Sequence, residues 1–427
     1  MTDRTERPLS AFRINIEQQK NRAKDLLRAV KAGDDAARQR IATTRPSCNE
    51  PDASIKLADA QLTIARELRF RNWAALKSHV EAMDKQRVAL DRRDSLDANL
   101  KTLHIRCGSD IRQTLQEGGF AGDFLEHSIP YCAGPVAMGP DRHQLMARFL
   151  VDAFPTARGG LVYERELKSL EASEEKLDRS ASDYQRVVLW MEHDSWDQLV
   201  LVRVLAHYAQ SARPLMLELI AINEFPGGER FIGLGQLPAE ALRLLWAQRK
   251  PVTTEQLILG RDAWTALAAK TPVALAKLAK TGTPALPLLS PAIYRHLREL
   301  PSTKNGLTLT EQLVLEIVAD RGATLNEVFH LMKTDREPLP WLGDLGLLHI
   351  VENMLRVIDP VLERSPSPPN APFARQLTIT DAGRAVLIGT RDWQSFAPPL
   401  RWVGGVQIDA QRPGWRWSES SRDVVMI

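Results

Sequence analysis

The stretch Arg186-Val-Val-Leu-Trp-Met-Glu-His-Asp-Ser-Trp-Asp-Gln198 decides the fold class. Val187–Met191 is a continuous apolar run without alternation, which predicts a strand buried on both faces, as in a parallel sheet. The run ends abruptly in six polar residues around Trp196 and then becomes Leu199–Tyr208, which reads as a helix. Upstream, Leu103, Ile105 and Cys107 alternate as a strand does, and Gly108-Ser109-Asp110 turns the chain. Ile111 and Leu115 begin a helix for which Ser109 or Asp110 is the predicted N-cap. Asp123-Phe124-Leu125 reads as a short second strand, 142–154 and 164–185 as helices, and 215–222 as a further apolar strand. Strands alternating with helices across short loops predict an α/β protein with an open, parallel, Rossmann-like core over 100–237.

The flanks have a different character. Residues 1–92 carry helical spacing, with Leu26, Leu27 and Val30 on one stripe, and read as an all-α N-terminal appendage. TTRPSCNEPDAS (43–54) is a loop by its Pro, Asn and Ser content, and the charged 84–101 is a helix extension or linker. Residues 238–306 read as a helical connector. Over 307–427, three helices, a hairpin around SPSPPNAPFA (365–374) and a fourth helix make a winged-helix-like pattern, followed by a tail holding Trp393, Trp402, Trp415 and Trp417.

The 427 residues hold 56 Lys+Arg against 53 Asp+Glu, a formal charge of +3, so the global charge makes no case for nucleic acid or membrane. The third helix of the winged-helix-like segment, from Trp341, is mostly apolar, which argues against groove reading and makes nucleic acid an improbable partner. No apolar stretch is long enough to span a bilayer and the N-terminus lacks an apolar signal region. Three cysteines, Cys48, Cys107 and Cys132, form no framework. A soluble, cytoplasmic protein is the expectation.

Several motifs resemble a known family. LHIRCGSD (103–110), AGDFLEHSIPYCAGPV (121–136) and the H-D-x-x-D-Q element within VVLWMEHDSWDQLVLVRVL (187–205) resemble the domain-of-unknown-function 1835 family. FIGLGQL (231–237), AQRKPVT (247–253) and YRHLRELPSTKNGLTLTEQLVLE (294–316) resemble the stretch through its companion, the domain of unknown function 3658. The first loop departs from the expected Gly-Asp-Ser order, reading Gly108-Ser109-Asp110. LADAQLTIARELRFRNWAALKSHV (57–80) resembles a helical pair found beside ankyrin-type repeats in bacterial proteins. The resemblance implies positions rather than an activity, and it brings Arg249, Arg295 and His296 into the candidate ligand-binding set.

In open α/β sheets, ligands bind beyond the carboxyl ends of the strands. Two such ends are polar here: Gly108-Ser109-Asp110 and Glu192–Gln198. His193, beside carboxylates, is the candidate general base, with Asp194 and Asp197 as catalytic or orienting partners. The same His193, Asp194 and Asp197 offer donors for a divalent metal. Asp194 also suits a plain helix cap and Asp197 a first-turn acid. Gly108, Ser109, Asp110 and Gln198 complete the ligand-binding set, and Gly108-Ser109 before a helix suits an anion. The glycines of GGERFIGLG (227–235) read first as turn residues. The expected function is hydrolysis or group transfer on a small polar or phosphorylated molecule. The alternative is a non-catalytic ligand sensor, contacting protein partners through the N-terminal helices or the tryptophan-rich tail; a DNA-binding regulator is third.

Overall fold

The computed structural model describes residues 11–49, 54–92, 95–154, 160–366 and 372–427. Parts of the expected loops 43–54 and 365–374 and of the expected helix extension or linker 84–101, namely 50–53, 367–371 and 93–94, lie outside them. In chain order the elements begin with helices α1 (Ile16–Lys31), α2 (Asp35–Thr44), α3 (Leu57–Glu67) and α4 (Trp73–Asp91). Then come β1 (Thr102–Arg106), α5 (Arg112–Glu117), β2 (Asp123–Glu126), α6 (Arg142–Ala153), α7 (Tyr163–Asp183), β3 (Arg186–Met191), α8 (Ser195–Gln210) and β4 (Met216–Ala221). Next are α9 (Ala239–Trp246), β5 (Lys250–Pro251), α10 (Thr254–Leu267), α11 (Val273–Thr281) and α12 (Leu289–Leu297). The last part holds α13 (Leu309–Arg321), β6 (Ala323–Thr324), α14 (Leu325–Leu331), α15 (Asp344–Leu355), β7 (Leu362–Arg364), β8 (Gln376–Ile379), α16 (Asp381–Ile388) and hairpins β9 (Arg401–Val403)/β10 (Val406–Ile408) and β11 (Trp415–Ser418)/β12 (Asp423–Met426).

The chain forms two compact units that cross the boundaries drawn along the sequence. One joins the residues up to Lys101 with Ser109–Gly122 and Ile222–Arg249. Its helices are started by local chemistry: Asn15 and Asn72 accept the N–H groups of Gln18 and Ala75 at 3.0 and 2.9 Å. Ala23, Leu26 and Val30 of α1 face Ile64 and Leu76 in one core. Phe12 packs edge-on against Phe225 and Phe231, at 5.9 and 6.3 Å between centroids. Gly227 is a packing residue there, since a Cβ on it would lie 2.5 Å from the Phe12 ring. Arg13 and Glu240 pair at 2.6 Å, linking the N-terminal segment to α9.

The second unit holds the sheet, in the order β2-β1-β3-β4-β5. Strands β2, β1, β3 and β4 run parallel, as expected. The sheet is nevertheless mixed, because β5 pairs antiparallel with β4 inside the stretch read as a purely helical connector. Two residues ending in a proline suit an edge, where no further ladder bond is needed. Both β1 and β3 are buried throughout. Leu103, Ile105, Val187 and Leu189 belong to the main apolar core, while the opposite face carries buried His104, Arg106 and Trp190. Trp190 Nε1 donates to His104 Nδ1 at 3.1 Å across that face. From β1 the chain steps to β2 on one side, and from β3 to β4 on the other, so the topological switch lies between β1 and β3.

Helix α8 is apolar nearly all round and is buried over almost its whole length. It packs on α10, where Gly260 permits the approach: a Cβ there would lie 2.4 Å from Leu205 Cβ. The same unit holds α13–α16 and an antiparallel sheet ordered β6-β8-β7 around Val314, Leu347 and Val361. Trp393 and Trp417 are buried core residues; Trp393 Nε1 donates to Glu311 Oε1 at 3.1 Å, and Trp417 packs edge-on against Tyr294. No helix among the described residues is long and apolar enough to cross a membrane.

The α8–α10 contact makes a test. Overpacking by Gly260→Ala should cost about 1–3 kcal/mol, outweighing the ~1 kcal/mol an alanine gains in a helix interior. A lower melting temperature is expected; an unchanged or higher one would show that the helices separate without cost.

Candidate functional site

The site at the switch point is built on Arg106, the last residue of β1. A guanidinium at the end of a buried strand needs carboxylate partners. It donates to Glu192 Oε1, just beyond β3, and to Asp197 Oδ1 in the first turn of α8; all three residues are buried. The Glu192 N–H also donates to Asp197 Oδ1, at 2.7 Å. Asp194 is the N-cap of α8, accepting the Asp197 N–H at 3.0 Å. Gln198 Nε2 donates to the Glu192 carbonyl, and Ser195 Oγ donates to the Ala292 carbonyl of α12 at 3.0 Å. The H-D-x-x-D-Q element is thus tied both to β1 and to α12.

Oxygens of Glu192, Asp194 and Asp197 lie within 4.8 Å of one another. Arg106 bridges two of these carboxylates and supplies part of their countercharge. Burial, and then the Asp197 charge, push the Asp194 carboxyl up to about 8, so it holds a proton at neutral pH. One guanidinium, one neutral acid and two carboxylates leave the cluster of these four groups with a single net negative charge. Its chemistry fits an internal ion pair better than a metal centre, and His193, half-buried in the same loop, is not in the acidic cluster.

The other expected residues are divided between the two units. Gly108 follows β1, but Ser109 and Asp110 fall in the other unit and are exposed. Neither caps α5, whose N-cap is Ile111 without a side-chain cap bond, because the chain makes a further turn through the Ser109 carbonyl, which accepts the Arg112 N–H at 3.1 Å. Asp110 instead lies against Gly235, where a Cβ would come 2.8 Å from its Oδ2. Arg249, in that unit too, stacks 4.1 Å over the Trp246 ring and donates to the Trp246 carbonyl. Arg295 is buried and is held by Glu337, Glu299 and Thr310. His296 is buried with neither ring nitrogen hydrogen-bonded, and burial pushes its imidazole down to about 3, so it is neutral. Arg106 is the residue that sequence reasoning missed. Its signal was a charge closing the alternating strand Leu103-His-Ile-Arg106.

Beside this network is a cavity of about 480 Å³, lined from the carboxyl end of β2 by Glu126 and Ser128 and from the first turn of α8 by Trp196. Helix α7 adds Glu166, Ser169 and Ser173, and the segment leading into α15 adds Trp341 and Asp344. A smaller cavity of about 80 Å³ shares Ala133, Phe154, Trp341, Leu342 and Gly346 with it. No protein-family model and no curated protein matches the chain.

Two measurements test the network. Asp197→Ala leaves the buried Arg106 guanidinium and the Glu192 N–H without their shared acceptor and should cost about 3–5 kcal/mol; a loss below about 1 kcal/mol in denaturant unfolding would contradict a structural role. The pH profile tests Asp194. An unfolded aspartate ionises near 4, whereas the folded one keeps its proton to about 8. Between these values the folded state binds the extra proton, so its stability is full below the lower value and declines as pH rises toward the upper. Asp194→Asn retains a capping side chain and should flatten that slope.

Proposed function

We propose that this protein binds a small polar molecule in the 480 Å³ cavity and acts on it by hydrolysis or group transfer. The observation that carries the reading is the cavity's place: it opens at the carboxyl end of the sheet, between the β2 loop and the first turn of α8. That is where open α/β sheets hold ligands, and the volume is within the usual range of about 300–1,000 Å³. The Arg106 network fixes the α8 first turn and with it Trp196. His193, the base expected from the sequence, lies three residues before Trp196 but does not line the cavity, so this reading assigns it no contact with the ligand. The same loop carries the H-D-x-x-D-Q element that resembles the domain-of-unknown-function 1835 family, which supports the reading.

A specific observation favours the second reading, a ligand sensor without turnover. Asp194, Asp197 and Gln198 are all engaged in bonds that hold the backbone, which is how a scaffold is built. In either reading the winged-helix-like part serves packing, because α15 buries Leu347, Val351 and Met354.

Native mass spectrometry of the full chain, incubated with a cell metabolite extract, tests the common claim. A small-molecule adduct is expected on the natural protein and not on Ser169→Trp, whose indole fills the cavity. Equal adducts on both would place the ligand elsewhere. His193→Gln should keep the adduct, since no histidine lines the cavity among the described residues.

A further inference from the structure

The smaller cavity, of about 80 Å³, holds a hydrogen-bond donor that the fold leaves unspent. Arg401 opens β9 and lines this chamber. The β9–β10 hairpin pins its backbone: the Gly404 carbonyl accepts the Val136 N–H at 3.0 Å, and the Gly405 N–H donates to the Leu267 carbonyl at 2.8 Å. Arg401 Nη1 donates to the Glu299 carbonyl. A guanidinium is a rigid planar fork, so fixing one nitrogen fixes the other. Nη2 is buried and has no hydrogen-bond partner among the described residues. A buried donor left unmade is costly, and more so on a charged group.

The carboxyl and imidazole groups of the lining are already engaged. Glu299 Oε1 accepts from Arg295 Nη1 at 2.7 Å and from Thr310 Oγ1 at 2.6 Å. Glu311 accepts from Trp393 Nε1 at 3.1 Å and from the Thr308 N–H at 2.8 Å. His349 and Asn353 bond one another at 3.2 Å. Burial pushes the Glu311 carboxyl up and the Arg401 charge pulls it back, so these two act as counter-charges, as Arg295 and Glu299 do. A ligand charge of either sign would therefore enter without a counter-ion of its own. What the chamber lacks is an acceptor, not an anion.

Its walls are otherwise largely apolar. The rings of Phe149, Phe154, Trp341 and Trp402 and the side chains of Leu342 and Ile350 form much of them. The volume is roughly that of two or three water molecules, which suits a head group and not a whole ligand. Phe154, Trp341 and Leu342 also line the large cavity, so the wall common to the two is apolar. A polar head that reaches Arg401 from the large cavity needs an apolar neck.

We infer that the small chamber is the head-group pocket of the ligand site, where Arg401 Nη2 donates to an uncharged carbonyl oxygen. The ligand class is then an amide or ester with an apolar neck, not a free carboxylate, phosphate or amine, and Arg401 determines that specificity. The inference rests on the large cavity being the ligand site and adds the end by which the ligand is held.

The test uses the full-length protein and isothermal titration with three probes of one shape: benzamide, benzoate and benzamidine, which are uncharged, anionic and cationic at neutral pH. Benzamide should bind at least about fivefold more tightly than either ion. Arg401→Met, which keeps the stem and removes the guanidinium, should weaken benzamide about tenfold or more. Gly346 lines both cavities; Gly346→Leu adds a side chain to the common wall, within a helix that leucine favours, and should abolish benzamide binding. Benzoate or benzamidine binding as tightly as benzamide, or more tightly, would overturn the uncharged head, and that comparison needs only the natural protein. Unchanged benzamide affinity in Arg401→Met would overturn the role of Arg401. Benzamide binding that survives Gly346→Leu would overturn the placement. No binding by any probe up to about 10 mM would overturn the head-group pocket and leave Nη2 to a water molecule; the metabolite-adduct comparison with Ser169→Trp would then decide the large cavity separately.

Discussion

Arg106 holds the sheet and the helix α8 that crosses from β3 to β4 together. Its guanidinium bridges Glu192 at the end of β3 and Asp197 in the first turn of α8. Desolvating three charged groups at one point is costly unless each finds its partner, and here each does. The consequence is positional. The carboxyl ends of β1 and β3 cannot separate, and α8 cannot start elsewhere, without exposing a buried charge to an apolar interior. Ser195, bonded to the Ala292 carbonyl, extends the constraint to α12. Everything placed by the α8 first turn, Trp196 included, inherits the precision of this ion pair.

Helix α8 then transmits that placement. It is apolar around nearly its whole circumference, and its residues are buried on all sides. Leu205 meets the Gly260 backbone on α10, and Tyr208 OH shares a hydrogen bond of 2.6 Å with Ser180 of α7. Helix α7 also lines the cavity through Glu166, Ser169 and Ser173. The wall formed by α7 and the wall formed by Trp196 are thus set by one central helix, so the cavity is shaped by core packing and not by loops alone.

What was legible in the sequence follows the range of each interaction. The run Val187–Met191 and the Asp194 cap are local, and both are readable because continuous hydrophobicity and an Asp three residues before the backbone N–H that it caps are local signals. The bridge from Arg106 to Asp197 spans 91 residues and has no local trace beyond an unexplained charge at a strand end. The joining of the N-terminal helices to 222–249 depends on Phe12 meeting Phe225 and Phe231, again distant in the chain. Arg295 reads as an anion-binding residue from its chemistry alone; only the folded chain shows Glu337 and Glu299 already occupying its donors. The two-residue β5 is too short for periodicity to reveal, and the cavity draws its walls from segments more than a hundred residues apart.

The two groups of carboxylates illustrate why acidity alone does not mark a site. Glu192, Asp194 and Asp197 are buried; there a charge must be matched or abolished, and Arg106 and a retained proton do both. Such a cluster has little left to offer a ligand, since each new charge would displace a partner already in place. Glu126, Glu166 and Asp344 are half-buried or exposed around open volume, so they do not carry the same demand for an internal partner. The buried cluster supplies rigidity, and the first turn of α8 is where it meets the cavity, through Asp197 on one side and Trp196 on the other.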